Sequence, residues 1–260
     1  MRWRKQGSVA ALPAAVLAWA LSWAALPAAA QARPWLDTGS FLIAQHGHTV
    51  GAASYRFAAA SKGYVATSVV KVTIQGLDYA LSTTEQLSPT HELAHALVSG
   101  VVNGEAVNVV AAPDAAQLLL NISANGKSST TRLAAHRGAV LLPDFDPGAL
   151  ETLLTLAAAR DNRGLWAILP KNAGAIQPVQ LATYPDMQGT LYDQPIVVHH
   201  LIATIAGTKT ELFSGPHNRL LQAELPQEGF ALVRQGFVLT PPAKPLAAPP
   251  SAGDTPPTSQ

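Results

Sequence analysis

The sequence predicts a mainly β protein, an antiparallel meander that forms an open half-barrel around one buried helix at about residues 147–161. Between residues 36 and 239, short alternating or β-branched runs are separated by turn residues, which is the pattern of antiparallel strands. Two Asn-Gly dipeptides, at 103–104 and 125–126, lie between such runs and favour tight hairpin turns. A single leucine- and alanine-rich segment departs from this pattern.

In the first half of the domain, glycines and the two Asn-Gly pairs separate the predicted strands. Phe41–Ile43 leads through a turn at 47–51 into Tyr55–Phe57, and Val65–Ile74 is the next strand. The Asn-Gly pairs then define two hairpins. Their strands are 97–102 with 106–110, and 118–123 with 128–133.

The last third of the domain repeats the strand pattern, with proline and glycine as the expected breaks. The predicted strands are 179–183, 196–205, 210–213, 220–225 and 230–239. The predicted breaks are at Pro185, Gly189, Gly207, Gly215 and Gly229.

The exceptional segment has the signals of a helix. Asp146 is suited to cap its N-terminus, Pro147 fits the first turn, and Gly164 lies near the expected end. Leucines at 150, 153, 154 and 156 leave little polar surface, so this helix should be buried on most sides. A sheet curled around an apolar helix satisfies both patterns.

Residues 1–32 have the layout of a cleavable signal peptide. A basic start at Arg2, Arg4 and Lys5 precedes an apolar run, and the small residues at 28–32 offer cleavage after Ala30 or Ala32. We therefore expect export to the periplasm or the extracellular space, with no membrane span after cleavage. Because the chain has no cysteine, disulfides cannot stabilise the mature protein.

Charge and composition exclude one class of partner. Removal of residues 1–32 leaves 14 basic and 16 acidic residues, a net charge of −2, without a cluster of lysine or arginine. Such a chain lacks the basic surface of a nucleic-acid-binding protein. Residues 240–260 are rich in proline and predict a disordered tail, so that residues 36–239 make a single β-rich domain.

The signal peptide, the Gly47-x-x-Val50-Gly51 segment that leads into Tyr55, the meander and the central helix together resemble an exported bacterial family related to lipoprotein carriers of the LolA/LolB type. The resemblance implies a half-barrel with an apolar concave face, which in those carriers holds an acyl chain. It therefore implies an exported, non-catalytic envelope protein that binds or carries an apolar, lipid-like ligand.

One motif points to a different function. His91-Glu92-Leu93-Ala94-His95 matches H-E-x-x-H, the zinc-binding signature of metallopeptidases. On a helix, the two histidines would share one face and bind zinc, while the glutamate would act on the bound water as general base. A zinc-dependent metallopeptidase with His91 and His95 as metal ligands and Glu92 as catalytic residue is therefore the alternative function.

The surrounding sequence favours the non-catalytic interpretation. Val98 and Val101 stand where the extended form of the motif has glycine and histidine, so a third ligand would have to come from Glu105, Glu151 or His136. Residues 93–102 can also form the first strand of the Asn103-Gly104 hairpin. In a strand, adjacent side chains point to opposite faces, and this geometry would destroy the zinc chelate.

The remaining histidine pairs give no clear site. His199-His200 are adjacent in a predicted strand and should point to opposite faces. His46 and His48 lie near a turn, where polar residues are expected. No serine-nucleophile, nucleotide-binding or dinucleotide-binding motif is present.

Overall fold

The computed structural model describes residues 35–171 and 174–241, which form a mainly β structure with one α-helix. The predicted fold class is confirmed. The strands are β1 Trp35–Gln45, β2 His48–Ala60, β3 Gly63–Ile74, β4 Leu77–Leu87, β5 Leu93–Val102, β6 Glu105–Asp114, β7 Gln117–Ala124, β8 Lys127–Ala134, β9 Ala139–Leu141, β10 Leu165–Leu169, β11 Ala175–Leu191, β12 Gln194–Ile205, β13 Thr208–Ser214, β14 Leu220–Leu225, β15 Phe230–Arg234 and β16 Phe237–Thr240. Helix α1 is Pro147–Ala159, and Pro216–Asn218 form a short 3-10 turn.

The strands form one open sheet built from two meanders. Its order is β8-β7-β6-β5-β4-β3-β2-β1-β15-β14-β13-β12-β11-β10-β9, and β16 pairs with β11 beside this path. The first meander runs outward from β1 to β8, and the second returns from β9 to β15, which pairs antiparallel with β1. Both Asn-Gly hairpins are confirmed, since Asn103 and Asn125 have the positive φ angles that such turns require.

The connection between β8 and β9 explains why the sheet curls. These strands lie at opposite ends of the strand order, yet only residues 135–138 separate them in the chain. The five peptide steps from Ala134 to Ala139 reach at most about 18 Å, so the two edges of the sheet must approach each other. No ladder among the described residues joins β8 to β9, and the sheet is therefore curved but open.

Helix α1 lies against the inner face of this curved sheet. Asp146 caps it as predicted, because its Oδ1 accepts hydrogen bonds from the backbone N–H groups of Gly148 and Ala149 at 2.9 and 3.1 Å. The helix is buried over most of its length, and Leu153 and Leu156 are completely inaccessible to solvent. It packs on β2, β3 and β14, so the predicted burial of the helix is confirmed.

Three details differ from the sequence-based expectation. Pro185 and Gly189 do not interrupt β11, because a bulge between Tyr184 and Met187 accommodates the proline without a ladder hydrogen bond. The predicted strand 230–239 is divided by a turn at Gln235-Gly236. Strands β9 and β10, a parallel pair that flanks α1, were not predicted from the sequence.

The turn at Gln235-Gly236 creates a second layer on the outer face of the sheet. It places β16 beside the far end of β11, where Phe237 covers a small apolar cluster with Val198, Phe213 and Leu221. Strand β14 is consequently buried on both faces. No second layer covers the outer face of β1 to β8 among the described residues. Along these strands, buried residues therefore alternate with exposed ones.

The predicted signal peptide at 1–32 lies outside the described residues. The predicted tail begins at residue 240, but Thr240 is the last residue of β16. Residues 242–260 are likewise outside the described part. Within the described ranges, no helix has the length and apolar character needed to cross a bilayer.

Candidate functional site

The H-E-x-x-H residues occupy a turn and the start of a strand. His91 has a positive φ of 60° in the turn before β5, and His95 lies within β5, opposite Gln86. The His91 ring stacks on Tyr64 with 4.4 Å between ring centroids, and burial lowers its pKa. Glu92 forms an ion pair with Arg160 at 2.8 Å. The helix required by the metallopeptidase alternative is thus not formed here.

The candidate third ligands are placed apart from the motif and make other contacts. Glu105 is exposed at the start of β6, and His136 stacks on Trp166 with 3.6 Å between ring centroids. Glu151 is buried in α1 and accepts a hydrogen bond from the backbone N–H of Leu220 at 2.6 Å. Within residues 35–171 and 174–241, no three acidic or histidine side chains are grouped to hold a metal ion.

His199 and His200 are separated as expected, and His46 and His48 lie at a turn as expected. His199 Nδ1 contacts Asp186 at 2.9 Å, whereas His200 Nε2 contacts Glu211 at 3.2 Å, so the two rings have different partners. His46 lies in the β1–β2 turn, where its N–H donates to the Gly229 carbonyl. His48 begins β2 and is exposed.

The Glu92–Arg160 pair gives a first prediction. Both side chains are about a third exposed, so Glu92→Gln should lower the free energy of unfolding by less than about 1 kcal/mol. Arg160→Gln should cost a similar amount, and the double variant should cost less than the two single changes combined. Urea denaturation measures all three, with exposed Glu105→Gln as the control. Additive effects would contradict this pairing.

The first of two buried polar clusters, the Arg234 cluster, joins β1, β2, α1 and β14. Arg234 is 6% exposed and donates through Nη1 to Tyr55 Oη at 3.2 Å and to the Leu220 carbonyl at 3.0 Å. Its Nη2 donates to Asp37 Oδ1 at 3.2 Å and to the carbonyl of Thr38. Tyr55 Oη also donates to Asp37. One guanidinium therefore binds four acceptors from three strands, β1, β2 and β14.

The carboxyl group of Glu151 completes this cluster at the helix. Its burial raises the pKa to about 7, although the hydrogen bond from the Leu220 N–H opposes that shift. Leu220 thus binds Glu151 through its N–H and Arg234 through its carbonyl. These contacts attach α1 to the start of β14.

The second cluster, the Glu85 cluster, contains Ser68, Glu85, Asp146 and Thr152. Ser68 donates to Asp146 Oδ1 at 2.6 Å, while Asp146 Oδ2 and Glu85 Oε1 are buried without a protein partner. Thr152 Oγ1 lies 3.0 Å from both Glu85 Oε2 and the Gly148 carbonyl. A hydroxyl has one hydrogen and can satisfy only one of these acceptors. Both contacts are favourable when Glu85 is protonated and donates to Thr152.

The electrostatic surroundings agree with a neutral Glu85. Its side chain is 1% exposed, and this burial, reinforced by the neighbouring Asp146 carboxylate, raises its pKa to about 8. Both clusters are largely buried beside α1, and only the Arg234 cluster reaches a cleft, through Tyr55 and Arg234. Their hydrogen bonds stabilise the position of the helix.

Two accessible concave features involve exposed residues on the opposite, outer face of β1, β2 and β3. An apolar groove of about 370 Å³ is lined mainly by Leu42, Val50, Gly51 and Ala52, with Lys71 and Thr73 at its β3 side. The groove lies at the bulge that follows Ile43 in the pairing of β1 with β2. Only glycine fits at position 51, because a Cβ there would lie 2.2 Å from the carbonyl oxygen of Lys71.

A polar cleft of about 500 Å³ adjoins the same strands. Its exposed lining residues on β1 and β2 are Thr38, Ser40, Ser54 and Arg56, and Tyr192 from the β11–β12 turn also lines it. Tyr55 and Arg234 of the Arg234 cluster form the buried part of the lining. Sequence analysis missed both the groove and the cleft. The alternation of exposed residues identifies this face, but the bulge and the second layer that shape it depend on long-range pairing.

No protein-family model, curated protein or solved structure matches the chain. The resemblance to lipoprotein carriers of the LolA/LolB type therefore stays a prediction.

Proposed function

We propose that this chain is an exported, non-catalytic envelope protein that binds an apolar or amphiphilic ligand in the groove on the outer face of β1, β2 and β3. The groove itself carries the proposal. Its accessible surface is almost entirely apolar, and its volume of about 370 Å³ lies within the range of small-molecule sites. Leu42, the largest apolar side chain at this site, is 44% exposed.

The occupancy of the inner face supports a site outside the half-barrel. The resemblance to carrier proteins would place an acyl chain on the concave side. Here α1 lies on that side, and its Leu153 and Leu156 pack into one continuous core with Phe41, Tyr55 and Leu120. An internal ligand would have to displace this core, whereas the outer groove is already open to solvent.

Two parts of the proposal, export and the absence of catalysis, come first from the sequence. The layout of residues 1–32 supports export. The H-E-x-x-H residues support no zinc chemistry in their present arrangement, because His91 stacks on Tyr64 and Glu92 is paired with Arg160.

Binding of N-phenyl-1-naphthylamine, a neutral apolar dye, tests the proposal by fluorescence titration. We expect saturable binding by the wild-type protein and an affinity at least ~tenfold lower in Leu42→Asp, because a carboxylate in the groove must be desolvated. Val101→Asp is the matched control, since Val101 is 40% exposed in β5 on the same outer face. Equal binding by both variants, or no saturable binding, would reject the groove.

A further inference from the structure

We propose that the apolar groove and the polar cleft form one continuous track for an amphiphile with an anionic head group. This inference rests on the proposed function, because it assigns the acyl chain to the groove at Leu42. The head group lies at Arg56, in the polar cleft. The ligand class is therefore a single-chain or multi-chain lipid with a phosphate or carboxylate head.

Strand register places the two sites end to end. On the outer face of β1 and β2, the successive cross-strand pairs are Thr38–Arg56, Ser40–Ser54 and Leu42–Ala52. All six residues are exposed. Same-face neighbours along a strand are ~6.6–6.8 Å apart, so the track changes from a cation, through two hydroxyls, to an apolar surface over about 13 Å. An amphiphile has the same order of chemistry along its length.

The second layer borders the polar end of the track. The Tyr192 N–H donates to the carbonyl of Gly236 at 2.8 Å, which ties the β11–β12 turn to the β15–β16 turn. Its ring lies against Gly236, where a Cβ would be 2.4 Å from Tyr192 Cδ1. Tyr192 is nevertheless 67% exposed, so its aromatic surface remains available beside the cleft.

Arg56 and Lys71 are the exposed cations along the track, and their neighbours decide which one receives the head group. Arg234 also lines the polar cleft, but it is only 6% exposed and already donates to Asp37, Tyr55 and Leu220. Arg56 is grouped with hydroxyls of Thr38, Ser40 and Ser54, which can donate further hydrogen bonds to an anion. Lys71 instead lies opposite Ala52 in the apolar groove. The Arg56 end of the track therefore offers the more complete anion-binding environment, and Lys71 lies beside the acyl chain of the ligand.

Calorimetric titration with three probes, each below its micellar concentration, tests this orientation. Dodecyl phosphate has both parts of the ligand, dodecyltrimethylammonium has the chain with a cationic head, and butyl phosphate has the head with little chain. We expect the full-length mature protein to bind dodecyl phosphate at least ~tenfold more tightly than either comparison probe. Arg56→Gln should weaken dodecyl phosphate binding ~tenfold and leave dodecyltrimethylammonium binding unchanged or improved.

The control is Arg132→Gln, the same change at an exposed arginine of β8 on the outer face, which should leave binding unchanged. Equal affinity for the two dodecyl probes, unaffected by Arg56→Gln, would overturn the anionic-head assignment while leaving the groove intact. A larger loss in Lys71→Gln than in Arg56→Gln would overturn the orientation. Failure of both dodecyl probes to bind would reject the proposed function itself.

Discussion

Replacement of Arg234 by methionine is expected to lower the free energy of unfolding by about 3–5 kcal/mol, the cost of breaking a buried ion pair from one side. The methionine retains much of the side-chain volume but no donor. Asp37, Tyr55 and the carbonyls of Thr38 and Leu220 would then lose the guanidinium that joins them. Denaturant unfolding followed by circular dichroism measures the change.

Two comparisons separate this effect from a general sensitivity to arginine loss. Arg132→Met on the exposed face of β8 should change stability by less than about 0.5 kcal/mol. Adding Asp37→Asn to Arg234→Met should recover part of the loss, because the Asp37 carboxylate would keep only Arg219, a partly exposed side chain 3.2 Å away, as its ion-pair partner. If Arg234→Met costs no more than Arg132→Met, the cluster does not hold β1, β2 and β14 together as described.

Replacement of Glu85 by glutamine is expected to abolish a large part of the pH dependence of stability. Burial raises the pKa of Glu85 from 4.5 to about 8. A carboxyl group whose pKa is higher in the folded state favours folding fully below pH 4.5, and this contribution is lost as the pH rises to 8. Wild-type protein should therefore lose a few kcal/mol across that window through this group, on the order of 1.4 kcal/mol per pKa unit.

Chemical denaturation between pH 4 and pH 9 measures the effect as the difference between wild type and Glu85→Gln. The difference cancels the parallel contribution of Glu151 and the opposite contribution of His91, whose lowered pKa favours folding at higher pH. The amide can donate to Thr152 as the acid does, so the variant should be the more stable protein at pH 9. Exposed Glu105→Gln serves as the control. Parallel wild-type and Glu85→Gln profiles would show that Glu85 is not neutral in the folded state.

The elements that the sequence predicted well are those with local causes. Asn103-Gly104 and Asn125-Gly126 set their own positive φ angles, and Asp146 caps the helix through bonds to residues two and three positions ahead. The errors occurred where distant pairing overrides a local signal. Pro185 is tolerated because it lies in a bulge, and β9 depends on its parallel pairing with β10 and on its burial in the core.

The candidate site was beyond sequence analysis for the same reason. Leu42, Ser54 and Arg56 are ordinary exposed positions of alternating strands until the β1–β2 register places them on one line. Tyr192 approaches that line only because a turn at Gln235-Gly236 brings β16 back to β11. In contrast, the H-E-x-x-H motif was conspicuous in sequence, and its residues lie in a turn and a strand.

The connection at residues 135–138 limits the distance between the end of β8 and the start of β9. No hydrogen-bonded ladder among the described residues closes the sheet, so the distance between its two margins is limited by the length of this short tether. The curvature that encloses α1 is thus specified by chain connectivity as well as by side-chain packing. A tether this short also keeps the start of β9 near the end of β8, which leaves less room there for a strand from another molecule to pair with either edge.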